Sequence, residues 1–106
     1  MAKKVLGQSN PAATTATTLY TVPSGKTAVL STLVIANLTA TAATYRVAVR
    51  VAGATLASSQ YIAYDITVGA SDSTALTLGI TLGATDVVTV YASTANLTFT
   101  AFGDEA

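Results

Sequence analysis

Cysteine, histidine and tryptophan are all absent from this chain. Without cysteine there is no disulfide framework and no thiolate to act as a nucleophile or a metal ligand. Without histidine, the most common general base and metal ligand is missing as well. A lysine, carboxylate or tyrosine would have to activate any nucleophile. The sequence therefore argues against an enzyme, and it predicts no catalytic residue, no metal ligand, no cofactor-binding residue and no cofactor.

Five carboxylates remain as candidates for acid–base chemistry: Asp65, Asp72, Asp86, Asp104 and Glu105. A pair such as Asp65 and Asp86 would suit glycoside hydrolysis. Asp72 and Asp86 lie among turn residues, however, where an aspartate normally accepts hydrogen bonds from nearby backbone N–H groups. The pattern therefore favours turn formers and solvated charges over a catalytic pair.

Charge of either sign is scarce. Five basic and five acidic side chains give a formal net charge of zero, and charged residues make up 9% of the chain, against about 25% in ordinary soluble domains. A free monomer normally stays soluble through mixed surface charge and a net charge away from zero. The composition therefore favours a protein whose surface is covered by neighbours, and it predicts self-association as a trimer or dimer.

The basic residues are too few and too scattered to form a surface for nucleic acid. They are Lys3, Lys4, Lys26, Arg46 and Arg50. The basic start of the chain is not followed by the apolar stretch of a signal peptide. The most apolar segment, residues 29–38, is interrupted by polar side chains and is too short to span a bilayer as a helix. Neither nucleic acid nor a membrane is therefore an expected partner.

Apolar and polar residues alternate along most of the chain, as is typical of strands with one buried face. The alternation predicts strands near residues 4–7, 17–22, 27–36, 42–52, 61–68, 76–82, 86–92 and 97–102. Turn residues such as those at 23–26 separate the strands, and no segment has helical periodicity. The predicted fold class is therefore all-β, an antiparallel β-sandwich or jelly roll of about eight strands.

The predicted core takes the apolar side chains of the cleanest alternating runs: Val47, Val49, Val51, Leu78, Ile80, Val88, Val90 and Phe99. Residues 86–92 are apolar on both faces, which predicts a central strand. Residues 1–16 are predicted to be an N-terminal strand and arm, and residues 17–106 the sandwich domain. Because the segment of residues 1–16 is too small and polar to fold alone, we expect it to act as an arm that becomes ordered by docking on a neighbouring subunit.

Three other residue types have more than one interpretation. The tyrosines suit a core and interfaces better than a sugar-binding face; they are Tyr20, Tyr45, Tyr61, Tyr64 and Tyr91. The outward threonines fit either strand propensity or a surface that packs against another chain; examples are Thr77, Thr81, Thr98 and Thr100. Asn37 and Asn96 begin Asn-x-Thr sequons, but we interpret them as turn residues because a signal peptide is not evident.

The order of several sequence blocks resembles that of small structural proteins of tailed bacteriophages. The blocks are residues 19–28 (LYTVPSGKTA), 34–37 (VIAN), 45–49 (YRVAV), 61–65 (YIAYD), 78–82 (LGITL), 86–91 (DVVTVY) and the ending that starts at Phe102. The match covers residues 17–106, and the order of the blocks is more specific than any one of them. Members of this family are components of phage heads or tails. The resemblance implies a non-enzymatic virion protein, made in the host cytoplasm and located on the surface of the phage particle.

The resemblance also bears on the location within the particle. Little chain follows Phe102, whereas a receptor-binding fibre usually carries more. This favours a capsid decoration (cement) protein that binds the major capsid protein and stabilises the assembled head. The alternatives are a tail, neck or fibre-attachment component, and a module that binds host glycans through its tyrosines.

Overall fold

The computed structural model of the protein describes residues 2–106, and in this range eight strands form two antiparallel sheets. The strands are β1 (Ala2–Ser9), β2 (Thr17–Thr21), β3 (Ala28–Asn37), β4 (Ala43–Arg50), β5 (Tyr61–Val68), β6 (Ser73–Leu82), β7 (Val87–Ala92) and β8 (Leu97–Glu105). The first sheet has the strand order β1-β8-β3-β6 and the second has the order β2-β7-β4-β5. The predicted all-β antiparallel sandwich is confirmed.

The helical segments of the described range are two 3₁₀ turns, Val51–Gly53 and Ser58–Gln60. Neither turn is long or apolar enough to cross a membrane.

The core lies between the two sheets and is built from their inward-facing side chains. Ten of these side chains are almost completely inaccessible to water: Val22, Leu30, Leu33, Ile35, Tyr45, Val47, Val88, Val90, Leu97 and Phe99. At the centre, Tyr45 of the second sheet meets Phe99 of the first sheet edge to face, with ring centroids 6.3 Å apart. Each buried valine, leucine or phenylalanine contributes about 1.5–3 kcal/mol to folding, which holds the strands in this register.

Most of the predicted core residues are in or beside the core. Val47, Val88, Val90 and Phe99 are fully buried, and three others pack against the core while partly exposed; these are Val49, Leu78 and Ile80. The prediction for Val51 is wrong, because its side chain is 68% exposed.

The break in the pattern at Val51 has a local cause. Strand β4 ends at Arg50, and Val51 begins a 3₁₀ turn in which Ala52 has a φ of 53°. The backbone N–H of Ala52 donates to Asp86 Oδ1 at 2.8 Å, which holds the turn beside the beginning of β7. Alternation places side chains on the core face only while the strand continues, so Val51 points into solvent.

Strand β7 is buried on both faces and lies between β2 and β4, which confirms the predicted central strand. Its outer face is covered in part by segment 51–60, which connects β4 to β5. Arg50 fastens this segment by donating to the carbonyl oxygens of Gly53 and Ala54, at 2.9 and 2.7 Å. As a result Val87, an outward residue of β7, is only 7% exposed.

The N-terminal segment obtains its order from its own chain. Strand β1 pairs with β8 along its length, and the side-chain amide of Asn10 donates to the carbonyl oxygens of Ala95 and Leu97 at 3.0 and 2.8 Å. The expectation that only a partner surface could order residues 1–16 is therefore wrong for the described part of that segment, whereas its docking on a neighbouring subunit stays a prediction. The small, polar side chains of this segment do not predict its order, because the order comes from the pairing of β1 with β8 and from the side chain of Asn10.

Strands β1 and β2 close one side of the sandwich, here called the closed side. Glu105 at the end of β8 joins them, since its two carboxylate oxygens accept from Lys4 Nζ at 3.0 Å and from the Tyr20 hydroxyl at 2.6 Å. Gly7 permits the close approach of the strands, because a Cβ atom there would collide with the carbonyl oxygen of Leu19. On the opposite side, β6 and β5 are the edge strands of the two sheets.

Candidate functional site

Arg46 lies between two tyrosine rings on the outer face of the second sheet. Its guanidinium carbon Cζ is 4.1 Å from the ring centroid of Tyr64 and 4.2 Å from that of Tyr91. Both distances are well within the range of about 6 Å for a cation–π interaction. Tyr91 is the cross-strand partner of Arg46 on β7, so strand pairing itself sets one of the two contacts.

A β-bulge in β5 supplies the other contact. At this bulge Tyr64 and Asp65 together lie opposite the single residue Arg46 of β4. Asp65 has a φ of 52°, in the left-handed region that aspartate tolerates better than most residues. Bulges of this kind re-aim side chains, and here two neighbouring side chains reach one guanidinium.

The Asp65 carboxylate holds the guanidinium in place through two hydrogen bonds. It accepts from Arg46 Nε at 2.7 Å and from Nη2 at 3.3 Å, and these bonds raise the pKa of Arg46 above its usual value. The side chains of Arg46 and Asp65 remain 23% and 46% exposed, and solvent screening leaves exposed ion pairs with little effect on stability. The pair therefore serves mainly to orient Arg46 and to neutralise its charge.

A cleft of about 660 Å³ opens beside Tyr64, between β5 and segment 51–60. The residues that line it are Leu56, Ala57, Ser58, Tyr61 and Tyr64. Tyr61 and Tyr64 meet edge to face, with ring centroids 4.9 Å apart and an interplanar angle of 84°. The segment above the cleft is held by Gln60, which accepts from the backbone N–H of Ala57 at 2.7 Å.

These features form one surface, the tyrosine–arginine surface, which consists of Arg46, Leu56, Tyr61, Tyr64, Asp65 and Tyr91. Tyr64 is 54% exposed, and the neighbouring Ile62 is 49% exposed. Contiguous exposed apolar and aromatic side chains mark interaction sites on soluble proteins. The chemistry available here is recognition through aromatic faces, hydroxyl groups and one oriented cation.

The five tyrosines divide between the core and this surface. Tyr45 is 1% exposed and Tyr20 is 8% exposed, as expected for core residues, and burial raises the pKa of both hydroxyls. The other three converge on Arg46 or on one another from β5 and β7. Sequence analysis identified all five but missed this convergence, because the bulge that produces it leaves no signal in the alternation.

Asp65, Asp72 and Asp86 each have a separate structural partner. Asp86 Oδ2 accepts from the backbone N–H of Gly83 at 2.8 Å, and Asp72 Oδ1 accepts from the backbone N–H of Ser73 at 2.8 Å. Both are turn formers, as the sequence indicated. Asp65 is instead engaged by Arg46, so it and Asp86 are held by different groups. In the described part of the chain, no three acidic, cysteine or histidine side chains lie close enough to hold a metal ion.

Asn37 is a structural residue at the end of β3, in agreement with its interpretation as a turn former. It is only 5% exposed. Its amide donates to the carbonyl oxygens of Thr41 and Gly69 at 2.8 and 3.2 Å, and its own oxygen accepts from the backbone N–H of Thr39 at 3.0 Å. The side chain thus joins the loop after β3 to the loop after β5.

A second, smaller apolar patch lies on the outer face of the first sheet. Val5 of β1 and Phe102 of β8 are cross-strand partners and are 48% and 38% exposed. The charged side chains of Lys3, Lys4 and Asp104 flank this patch.

Comparisons of the chain with protein-family models, with curated proteins and with solved structures found no match. The functional assignment of the tyrosine–arginine surface therefore depends on its geometry and chemistry.

Proposed function

We propose that this protein is a non-enzymatic structural component of a tailed-bacteriophage particle that decorates the assembled capsid. In this proposal the tyrosine–arginine surface binds the major capsid protein. The observation that carries the proposal is the exposed Tyr64 and the half-buried Tyr91 on either side of an arginine that is already oriented and paired, with the half-buried Tyr61 packed against Tyr64. Tyrosine and arginine are the residue types that dominate the energetics of protein–protein interfaces.

The state of Arg46 favours binding in two ways. Its guanidinium is held by two rings and one carboxylate before any partner arrives, so less side-chain entropy is lost on association. Its charge is balanced by Asp65, so a partner can cover the surface without burying an unpaired charge, which would oppose binding.

The scarcity of charge elsewhere supports the same proposal. A surface of alanine, threonine and tyrosine is better suited to contact with a large protein shell than to a free monomer in solution. A protein that binds only the assembled shell stabilises that shell by mass action. Each contact adds little, but many copies act together on one particle.

The test compares wild-type particles with particles that lack the protein, and measures DNA release on heating. Particles without the protein should release DNA at a lower temperature, and purified wild-type protein added back should restore resistance. Equal heat resistance without the protein would refute the decoration role. If those particles also failed to adsorb to host cells, a tail, neck or fibre-attachment role would replace it, and a low copy number per particle would agree with that outcome.

Two variants locate the binding surface. Tyr64→Ala should weaken binding to protein-free particles by roughly 30-fold or more, which corresponds to about 2 kcal/mol for an interface hot spot. Phe102→Ala is the matched control, because it removes an exposed aromatic ring from the other sheet. Equal binding by both variants would show that the tyrosine–arginine surface is not the contact.

The cleft beside Tyr64 favours a second candidate function, the binding of host glycans. Sugar-binding sites combine aromatic rings with hydroxyl groups, and this cleft has Tyr61, Tyr64 and Ser58. A glycan array probed with wild-type protein and with Tyr61→Ala tests this candidate. Binding that is lost in the variant would support it, and an array without any bound glycan would eliminate it.

A further inference from the structure

Strand β6 is an edge strand without the charged residues or proline that commonly oppose pairing with another strand. It is ten residues long and contains no charged residue and no proline, and among the strands of residues 2–106 it pairs only with β3. Natural edge strands are commonly protected by lysines, prolines or short length. The opposite edge of the same sheet shows such protection, because β1 carries Lys3 and Lys4.

The core is also incompletely covered on this side. Leu76, Leu78 and Ile80 of β6 pack against the core but remain partly exposed. Ile66 of β5 lies opposite the buried Tyr45 in the strand pairing, yet it is 45% exposed. We call these four residues the open seam. On the closed side, by contrast, Glu105 joins β1 and β2 across the gap between the sheets.

We propose that a second copy of this chain covers the open seam, with β6 of the two copies paired antiparallel about a two-fold axis. Such pairing is isologous, so each strand uses the same backbone groups as its partner. A bulge at Gly79, where φ is 69°, interrupts the regular part of β6. The pairing is therefore centred at Ala75 in the regular stretch from Ser73 to Thr77.

This geometry also joins the two cores. Antiparallel pairing of identical strands requires the two-fold axis to be perpendicular to the sheet, so the second sheets of both copies lie on the same side of the joined first sheet. The two open seams then face each other, and their apolar side chains are shielded together. Both tyrosine–arginine surfaces face the same direction in this dimer.

The absence of charge on β6 favours a second copy of this chain as its partner. An uncharged strand offers no ion pair to a charged partner, but it meets an identical strand without repulsion. The same pairing at β1 would bring Lys3 and Lys4 of one copy close to those of the other, which is unfavourable. The exposed Thr77 of β6 suits this role, because the axis at Ala75 places it opposite Ser73 of the second copy, and facing threonine and serine side chains stabilise adjacent strands.

Sedimentation equilibrium of purified protein at high micromolar concentration tests the proposal. The wild-type protein should be a dimer. Ala75→Lys places like charges next to the two-fold axis at an exposed position, and it should raise the dimer dissociation constant by roughly tenfold or more. Thr18→Lys is the matched control, since it adds a lysine at an exposed position of β2 on the closed side, and it should remain a dimer.

Cross-linking gives a second readout that does not depend on a charge. The chain has no cysteine, so a single Ala75→Cys substitution should yield a disulfide-linked dimer on mild oxidation, whereas Thr18→Cys should not. A wild-type monomer or trimer would overturn the proposal, as would a dimer that Ala75→Lys leaves intact. Both measurements use isolated protein, so their outcome is independent of the capsid-binding test.

Discussion

Replacement of Gly103 by alanine is expected to destabilise the first sheet without touching the tyrosine–arginine surface. Gly103 lies on the inward face of β8, between β1 and β3. A Cβ atom there would collide with the carbonyl oxygen of Val29 and would lie 3.0 Å from Leu6 Cδ1. The end of the Leu6 side chain can move aside, but the backbone of β3 can move only by loosening its pairing with β8.

The expected loss of stability follows from the atom that a Cβ at Gly103 would meet, which is the backbone oxygen of Val29. Adding a methyl group to a well-packed interior costs about 1–3 kcal/mol, and because the obstacle is backbone, Gly103→Ala should lie at the upper end, about 3 kcal/mol. For a domain of this size each 1 kcal/mol changes Tm by about 4–8 °C. The variant should therefore melt about 12–24 °C below the wild type.

The assay is thermal and urea denaturation followed by circular dichroism, with Gly83→Ala as the matched control. A Cβ atom at Gly83 would lie 3.6 Å from Asp86 Oδ2, an ordinary contact. Gly83→Ala should be neutral or stabilising by about 0.4–1 kcal/mol, because alanine restricts the unfolded chain. If Gly103→Ala melted as high as Gly83→Ala, the close approach of β8 and β3 would be refuted.

Two further predictions test the register and the closed side. Val47→Asp should unfold the domain, because Val47 is completely buried and an unpaired buried charge costs several kcal/mol against a total stability of about 5–15 kcal/mol. Val51→Asp is the control, since Val51 is exposed, and this variant should melt like the wild type. Equal effects of the two substitutions in circular dichroism melts would contradict the assigned end of β4. Hydrogen bonds from Tyr20 and then Lys4 lower the pKa of Glu105, so its contribution to stability is present above the ordinary glutamate pKa of about 4.3 and is lost as pH falls through the lower folded value. Tyr20→Phe should therefore lose less stability than the wild type in urea titrations taken from neutral pH to below about pH 4, and parallel curves for the two proteins would disprove this link.

Particular residues show how far sequence reasoning extends to the candidate site. Tyr61, Tyr64 and Tyr91 are identifiable as strand residues with a polar tip, and Asp86 is identifiable as a turn former. The contact of Arg46 with two rings and one carboxylate cannot be identified from the sequence. Tyr64 and Asp65 are adjacent in sequence, so in a regular strand their side chains would point to opposite faces. Only the bulge in β5 brings both to the same guanidinium.

The amino-acid sequence by itself determined the strands, the all-β class and the central position of β7. These features depend on residues that are close together in sequence: apolar and polar residues alternate along most strands, and β7 has apolar residues at successive positions. The tertiary structure decided where β4 ends, which strand pairs with β1, and which side of the sandwich stays open. Each of these depends on a partner distant along the chain, such as Asp86 for Ala52 or Glu105 for Lys4. Backbone pairing is nearly indifferent to side-chain type, so its partners become defined only when the whole sandwich packs.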